Sequence, residues 1–351
     1  MMDKQESEAL NITRFVMSIG IVFQHSYTTV QMYDYLTNMS VYHQVTRIFS
    51  LQFGEACVPT FFIISGYLFF CGYRQTWECY QYKMRKRFFS LLLPYLFWNA
   101  LMIGVFYAVE CIPSVRGLFN DGRKLVHDCN FADCLNAFWK YNDTAGPILT
   151  QLWFVRNLIL LSLCSPIIYW FVRYTKIIGV SILCLLWVFG ENMAYSQSSI
   201  FYFSLGAWFS INGKSLMSEI RKIAKPLFIL FPLILIADTL LDGTIAGYYL
   251  HRMQTFTCVL FILALVSVLL EKGKIHDIAF LSSSSFFLYV THDPMLRFIR
   301  KFSLKYADHS SEFQMIVLYF AAVAVDIAIV YAVYWCLRKY ASGFLKWTTG
   351  R

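Results

Sequence analysis

Charge is scarce in this sequence. Asp, Glu, Lys and Arg make up 15% of its residues, where an average soluble domain carries about 25%. With 58% hydrophobic residues and a mean hydropathy of +0.52, the chain has too little polar surface to cover a globule in water. That argues against a soluble enzyme and for a membrane protein. No two of the ten cysteines stand at CxxC spacing, so neither a zinc site nor a redox motif is supported, and no metal is expected. Ser65 lacks the flanking glycines of a hydrolase elbow. There is no Gly/Ser linker, low-complexity tract or internal repeat, which implies one membrane domain over residues 1–351.

What the sequence does hold is a series of apolar runs of spanning length. They lie near 10–30, 54–72, 88–109, 148–171, 177–190, 198–211, 226–241, 252–270, 283–300 and 313–336. The fold expected is therefore all-α, a polytopic transmembrane helical bundle of about ten spans. The polar, slightly acidic start "MMDKQESEAL" reads as the lead into an uncleaved first span. If it faces the cytoplasm, cytoplasmic segments hold 18 Lys and Arg and outer ones ten, in line with positive-inside bias and with both termini cytoplasmic. The run "RFIRKFSLKY" goes against this, placing Arg297, Arg300, Lys301 and Lys305 outside. The net charge of +9 is mostly this bias, and no separate basic domain supports a nucleic-acid partner. The largest polar segment, 110–147, is an outer loop in this topology. Its Cys111, Cys129 and Cys134 are able to pair if the loop meets an oxidising compartment.

Charged and ionisable side chains inside apolar spans are costly and turn toward a protein interior or a cavity. Arg14 and His25 sit in the first span, eleven residues apart. At about 100° per residue this is three turns plus about 20°, with about 16 Å along the axis, so both lie on one helix face. Asn11, Ser18 and Thr28 or Thr29 fall near the same stripe. Ser65-Gly66 in "VPTFFIISGYLFF" places small residues in a bulky span, where helices or a ligand approach the backbone closely. Arg85 and Arg87 flank Lys86 just before the third span, a spacing of guanidinium groups suited to phosphate as well as to plain positive-inside bias. Asp238 and Asp326 are acidic groups within spans, consistent with a proton pathway or with interhelical pairs to Arg. His292 and Asp293 are neighbours, but adjacent helical residues point about 100° apart and do not face each other.

Taken together these residues resemble the acyltransferase 3 superfamily of membrane O-acyltransferases. Arg14 and His25 match its first-helix pattern of a basic residue, ten positions and a histidine. Phe61-Phe62-Ile63-Ile64-Ser65-Gly66-Tyr67 matches its FFxxSGF/Y signature. Arg85-Lys86-Arg87, followed by Pro94-Tyr95, matches its RxR motif. Leu152-Trp153-Phe154 and the late Tyr289, His292 and Pro294 complete the set in the family's order.

The resemblance implies transfer of an acyl group, commonly acetyl, from an acyl-CoA such as acetyl-CoA. The acceptor would be a hydroxyl of a carbohydrate or lipid-linked glycan presented at the membrane. His25 would be the general base, since imidazole exchanges protons near neutral pH. Arg14, Arg85 and Arg87 would hold donor phosphates, and Ser65, Gly66, Trp153, Tyr289 and His292 would support the cavity. The expected setting is the inner or plasma membrane, with membrane lipid around the chain. A transporter of acyl groups or small solutes is the alternative. It would favour paired half-repeats with broken helices, which the sequence does not show.

Overall fold

The computed structural model describes residues 3–27, 39–112, 124–141, 146–190, 194–308 and 310–350, and all secondary structure among them is helical. In chain order the main helices are α1 (Lys4–His25), α2 (Ser40–Phe70), α3 (Trp77–Glu110), α4 (Trp153–Leu163), α5 (Ser165–Phe189) and α6 (Ala194–Ile211). They continue with α7 (Leu216–Lys222), α8 (Ala224–Leu240), α9 (Ile245–Glu271), α10 (Ala279–Lys305), α11 (Glu312–Tyr340) and α12 (Ser342–Thr348). Two compact units emerge: Met1–Arg74 with Pro166–Trp335, and Gln75–Ser165 with Cys336–Arg351.

Among the described residues five helices, α2, α3, α5, α9 and α11, are long and apolar enough to cross a membrane. The pair α7 and α8, bent by 75°, would make a sixth. This is fewer than the ten spans expected. The shortfall lies partly in helices that carry polar groups, such as α1 and α10, and partly in short ones, such as α4 with 11 residues. α5 is also interrupted at Lys176, where φ is 56° and ψ is −139°. That break falls between the spans expected at 148–171 and 177–190.

In the first unit, α2 and α9 are largely buried, whereas α5 and α8 expose rows of large apolar side chains. Ile167, Ile178, Ile229, Leu233 and Leu240 are all at least 60% accessible. Water would penalise such rows and lipid would not. The core forms where small residues let backbones touch. A Cβ on Gly66 would lie 2.1 Å from the Phe203 carbonyl oxygen, and one on Gly206 2.0 Å from that of Ile63. α2 and α6 therefore cross in direct backbone contact, with Phe69 and Phe70 against Phe203. Arg252, buried in α9, donates from one nitrogen to the carbonyls of Trp187 (2.6 Å), Val188 (2.9 Å) and Gly190 (2.9 Å). It thereby satisfies the open carbonyls at the C-terminus of α5.

α2 is not uniform. It begins α-helical, widens to a π-helix over Arg47–Phe53, tightens to a 3₁₀ turn over Gly54–Ala56 and resumes as α-helix from Cys57. π segments are rare and occur mostly at functional sites.

In the second unit, α3 carries a π segment over Phe88–Leu92, and α12 packs on it through Trp98, whose Nε1 donates to the Thr348 carbonyl at 2.9 Å. The described part of the loop, 124–141, packs Val126, Ala137 and Tyr141 against Ile148, with Met102, Ile103 and Phe106 of α3 alongside. Tyr95 donates to the Phe138 carbonyl and Arg156 to that of Trp139. A short helix, Phe131–Asn136, opens with a capping box formed by Asn130 and Asp133. The Asp133 carboxyl is held below its usual range by the hydrogen bond from Lys124 and by that from the Asn130 N–H. The pairing considered for Cys111, Cys129 and Cys134 is not formed, and all ten cysteines are free thiols.

Candidate active site

α1 is fixed at both ends, and this determines where its polar residues point. Near its start, buried Glu6 accepts from the Ser215 hydroxyl and from the Met217 N–H (3.2 Å). Gly20 then abuts Cys57, where a Cβ would come within 2.4 Å of Sγ. Near its end, the Phe23 carbonyl accepts from Ser50 of the π segment. Along the expected polar stripe, Asn11 donates to Asp277 at 3.0 Å, and Ser18 is buried and returns its hydroxyl to the Phe15 carbonyl. Arg14 is half-buried on the same helix. Thr28 and Thr29 lie outside the described residues.

His25, at the last turn of α1, meets α10. Its Nδ1 is 3.5 Å from Asp293 Oδ1, an ion-pair distance longer than an ordinary hydrogen bond. Asp293 is gripped from its other side by Arg297 one turn on, with Nε to Oδ1 at 2.9 Å and Nη2 to Oδ2 at 2.8 Å. This is a fork on both oxygens, which fixes the carboxylate plane. Arg300 extends toward the carbonyls of His25 and Tyr27, each at 3.4 Å. The basic run that sat awkwardly with positive-inside bias is thus helical, and two of its four cations hold the end of α1.

His292 lies beside His25, with ring centroids 5.0 Å apart and planes at 64°. The ring is fully buried, and its Nδ1 is 3.1 Å from the Leu288 carbonyl. A carbonyl can only accept, so Nδ1 carries the proton and Nε2 presents a lone pair. That Nε2 has no hydrogen-bond partner among the described residues. Buried Tyr289 stands 6.5 Å from the same ring. Asp326 of α11 is fully buried with both oxygens lacking a hydrogen-bond partner among the described residues, and it is close enough to Asp293 for the two carboxyls to interact. Asp238, by contrast, has the Arg partner anticipated for it: Arg47 at 3.4 Å.

The structure brings His25, Tyr289 and His292 together and adds Asp293 and Arg297, which the sequence reading did not single out. Gly66, with Ser65 beside it, serves the crossing of α2 with α6. Arg85, Arg87 and Trp153 belong to the second unit. There Arg85 and Arg87 close the α-helical part of α3, and two positions apart on a helix means directions about 200° apart. Among the described residues no group of three or more His, Cys, Asp or Glu is placed to hold a metal ion.

A family described as an acyltransferase domain matches residues 7–335, which reach across both units. The chain is similar to the succinoglycan biosynthesis protein ExoH of Rhizobium meliloti (strain 1021), at 24% identity over 370 aligned positions. The alignment covers 99% of this chain and 93% of that protein. No solved structure matches. With a match that takes in the Arg14 and His25 pair of α1 and the Tyr289 to Asp293 turn of α10, the chain belongs to the acyltransferase 3 family and is a membrane acyltransferase.

Proposed function

We propose that the chain transfers an acyl group, acetyl in the simplest case, from an acyl-CoA to a hydroxyl of a carbohydrate or lipid-linked glycan. The observation that carries this reading is the pairing of His25 with Asp293. Asp293, fixed by Arg297, orients the imidazole through Nδ1 and stabilises it as it takes up a proton. Nε2, on the far edge of the ring, is the base. As the acceptor oxygen attacks the thioester carbonyl, its proton passes to His25 Nε2. The C–O bond forms, the C–S bond breaks, and the proton leaves with the thiolate as free thiol. Such general base catalysis is worth about 10² to 10⁴-fold in rate. The His292 Nε2 lone pair accepts a hydrogen bond from a bound substrate group.

Arg85 and Arg87 of α3 offer cations for the donor's phosphates, and Arg14 lies on the same helix as His25. Ser65, Gly66 and Trp153 act as supporting structure. We take the chain as one catalytic membrane domain of about ten spans with both termini cytoplasmic, a topology supported by the distribution of Lys and Arg. The relative named for succinoglycan biosynthesis supports a polysaccharide acceptor. Mass analysis of the host's glycans with and without the gene tests the reading. Loss of an acyl mass increment is expected with the gene removed, and identical glycans would overturn it.

A further inference from the structure

A second polar cluster lies at the His25 end of α1 within the same unit, and the transfer step does not use it. His251 of α9 is its centre. Its Nε2 is 3.0 Å from Glu55 Oε2, and its Nδ1 is 3.2 Å from both oxygens of Asp238 at the end of α8. Asp238 also accepts from Gln52 Nε2 at 2.7 Å and pairs with Arg47, which in turn holds Asp242. Gln254 donates to the Gln52 carbonyl at 3.0 Å. Accessibility of the side chains rises outward from Asp238 at 1% through His251 at 24% and Glu55 at 39% to Asp242 at 60%. The cluster is rooted in the core and opens at one edge.

Two features indicate that it binds something. Gln52 and Gln254 are wholly buried, yet their Oε1 atoms, like Arg47 Nε, have no hydrogen-bond partner among the described residues. A purely structural polar network of this depth satisfies its members, because each orphan is costly. The cluster is also adjacent to the catalytic end of α1. Glu55 follows Gly54, where a Cβ would lie 2.8 Å from Gln24 Cβ, and Tyr27 is within electrostatic reach of Arg47, Asp242 and Glu55.

Its charge selects the ligand class. Three carboxylates face one guanidinium and one imidazole, so a polyanionic donor is repelled, whereas hydroxyl groups find carboxylate acceptors. We propose that Glu55 and Asp242 form the acceptor subsite, taking hydrogen bonds from glycan hydroxyls while a neighbouring hydroxyl faces His25, with His251 donating to Glu55 and so fixing its carboxylate. Arg47 and Asp238 hold that edge in position, and the open Oε1 atoms of Gln52 and Gln254 accept from donors of the same ligand. The inference rests on the acyl-transfer reading for its substrate class.

Saturation-transfer NMR on the full chain in nanodiscs reads binding without turnover, with oligosaccharides released from the host's own polysaccharide by mild acid as the probe. Wild type and His25→Ala are expected to bind alike. Glu55→Gln and Asp242→Asn are each expected to bind about tenfold more weakly, the loss of one charge-assisted hydrogen bond. Asp242 is the more exposed residue and has no contact with His251, so its variant guards against misfolding in the other. Unchanged affinity in both variants, or no binding by wild type, overturns the subsite. The acyl-transfer reading fails on a separate result: glycan acylation retained in cells by His25→Ala.

Discussion

His25 Nδ1 and Asp293 Oδ1 stand 3.5 Å apart although 268 positions separate them in the chain, and Arg297 holds the same carboxylate from the far side. A carboxylate so placed sets which imidazole nitrogen carries a proton. Asp293→Asn is therefore expected to lower kcat on the order of 10²-fold or more while acceptor and donor KM stay near wild type. Arg297→Gln should cost less, because the carboxylate remains. Initial-rate kinetics in membranes check both, and full kcat in Asp293→Asn would remove it from the mechanism.

The backbone contact between α2 and α6 makes a stability prediction. Gly66→Ala gains about 1 kcal/mol of helix propensity, but the added methyl would meet the Phe203 carbonyl at 2.1 Å, and a backbone oxygen cannot rotate aside. Overpacking of this kind costs about 1 to 3 kcal/mol or more. A lower thermal midpoint in detergent is expected for Gly66→Ala and, by symmetry, for Gly206→Ala. Wild-type midpoints in both would show that the helices separate freely.

Arg252 gives a second one. Removing its charged donor by Arg252→Leu leaves the carbonyls of Trp187, Val188 and Gly190 without it in a buried position, at a cost of about 2 to 4 kcal/mol. Protease resistance of α5 should fall before that of α2, since Arg252 caps α5 alone. Equal protection of the two helices in the variant would contradict this.

For Arg85 and Arg87 the helix itself sets the expectation. Their backbone directions differ by about 200°, which favours separate partners, so their effects on donor KM should add in a double-mutant cycle to within about 0.5 kcal/mol. Strong coupling would mean that the two forks meet on one group.

The sequence places Arg14 and His25 on one face by spacing alone, and the structure puts both on the single helix α1. For Asp238 and Asp326 the sequence left a proton pathway and an Arg pair both open, and the structure gives an Arg partner to Asp238 but none to Asp326 among the described residues. Asp293 was hidden by its neighbour. Next to His292 it invited a test for a local dyad, which helix geometry rules out, while its true partner lies on another helix. The one local signal was Arg297 four residues on, a spacing that pairs charges on a helix. The π segment of α2 left no trace in the apolar pattern, whereas the break at Lys176 falls where the sequence already divides the spans at 148–171 and 177–190. Gly54 directly follows the π segment, but a lone glycine in an apolar run does not specify which kind of helix precedes it. The sequence counts α1 and α10 among its ten spans, but the polar groups they carry keep both short of the hydropathy that a spanning helix shows.

The anchoring of α1 at both ends yields the sharpest test of the site. Glu6 is fixed by Ser215 and Met217 near the start of the helix, and His25 meets Asp293 at its end. One Ala inserted after Ile19 leaves the Glu6 anchor in place and turns His25 by about 100°, away from Asp293. Four inserted residues restore the direction to within about 40° but push His25 along the axis by about 6 Å, beyond reach of the carboxylate. Both insertions are therefore expected to abolish glycan acylation, the first through direction and the second through distance. If Arg14 and His25 were independent anchors in the bilayer, both would be tolerated. Acylation at wild-type levels from a single-insertion variant present in membranes at normal abundance would reject a site assembled between α1 and α10. Cysteine labelling of the helix ends in the same membranes confirms that the register, and not the insertion of α1, has changed.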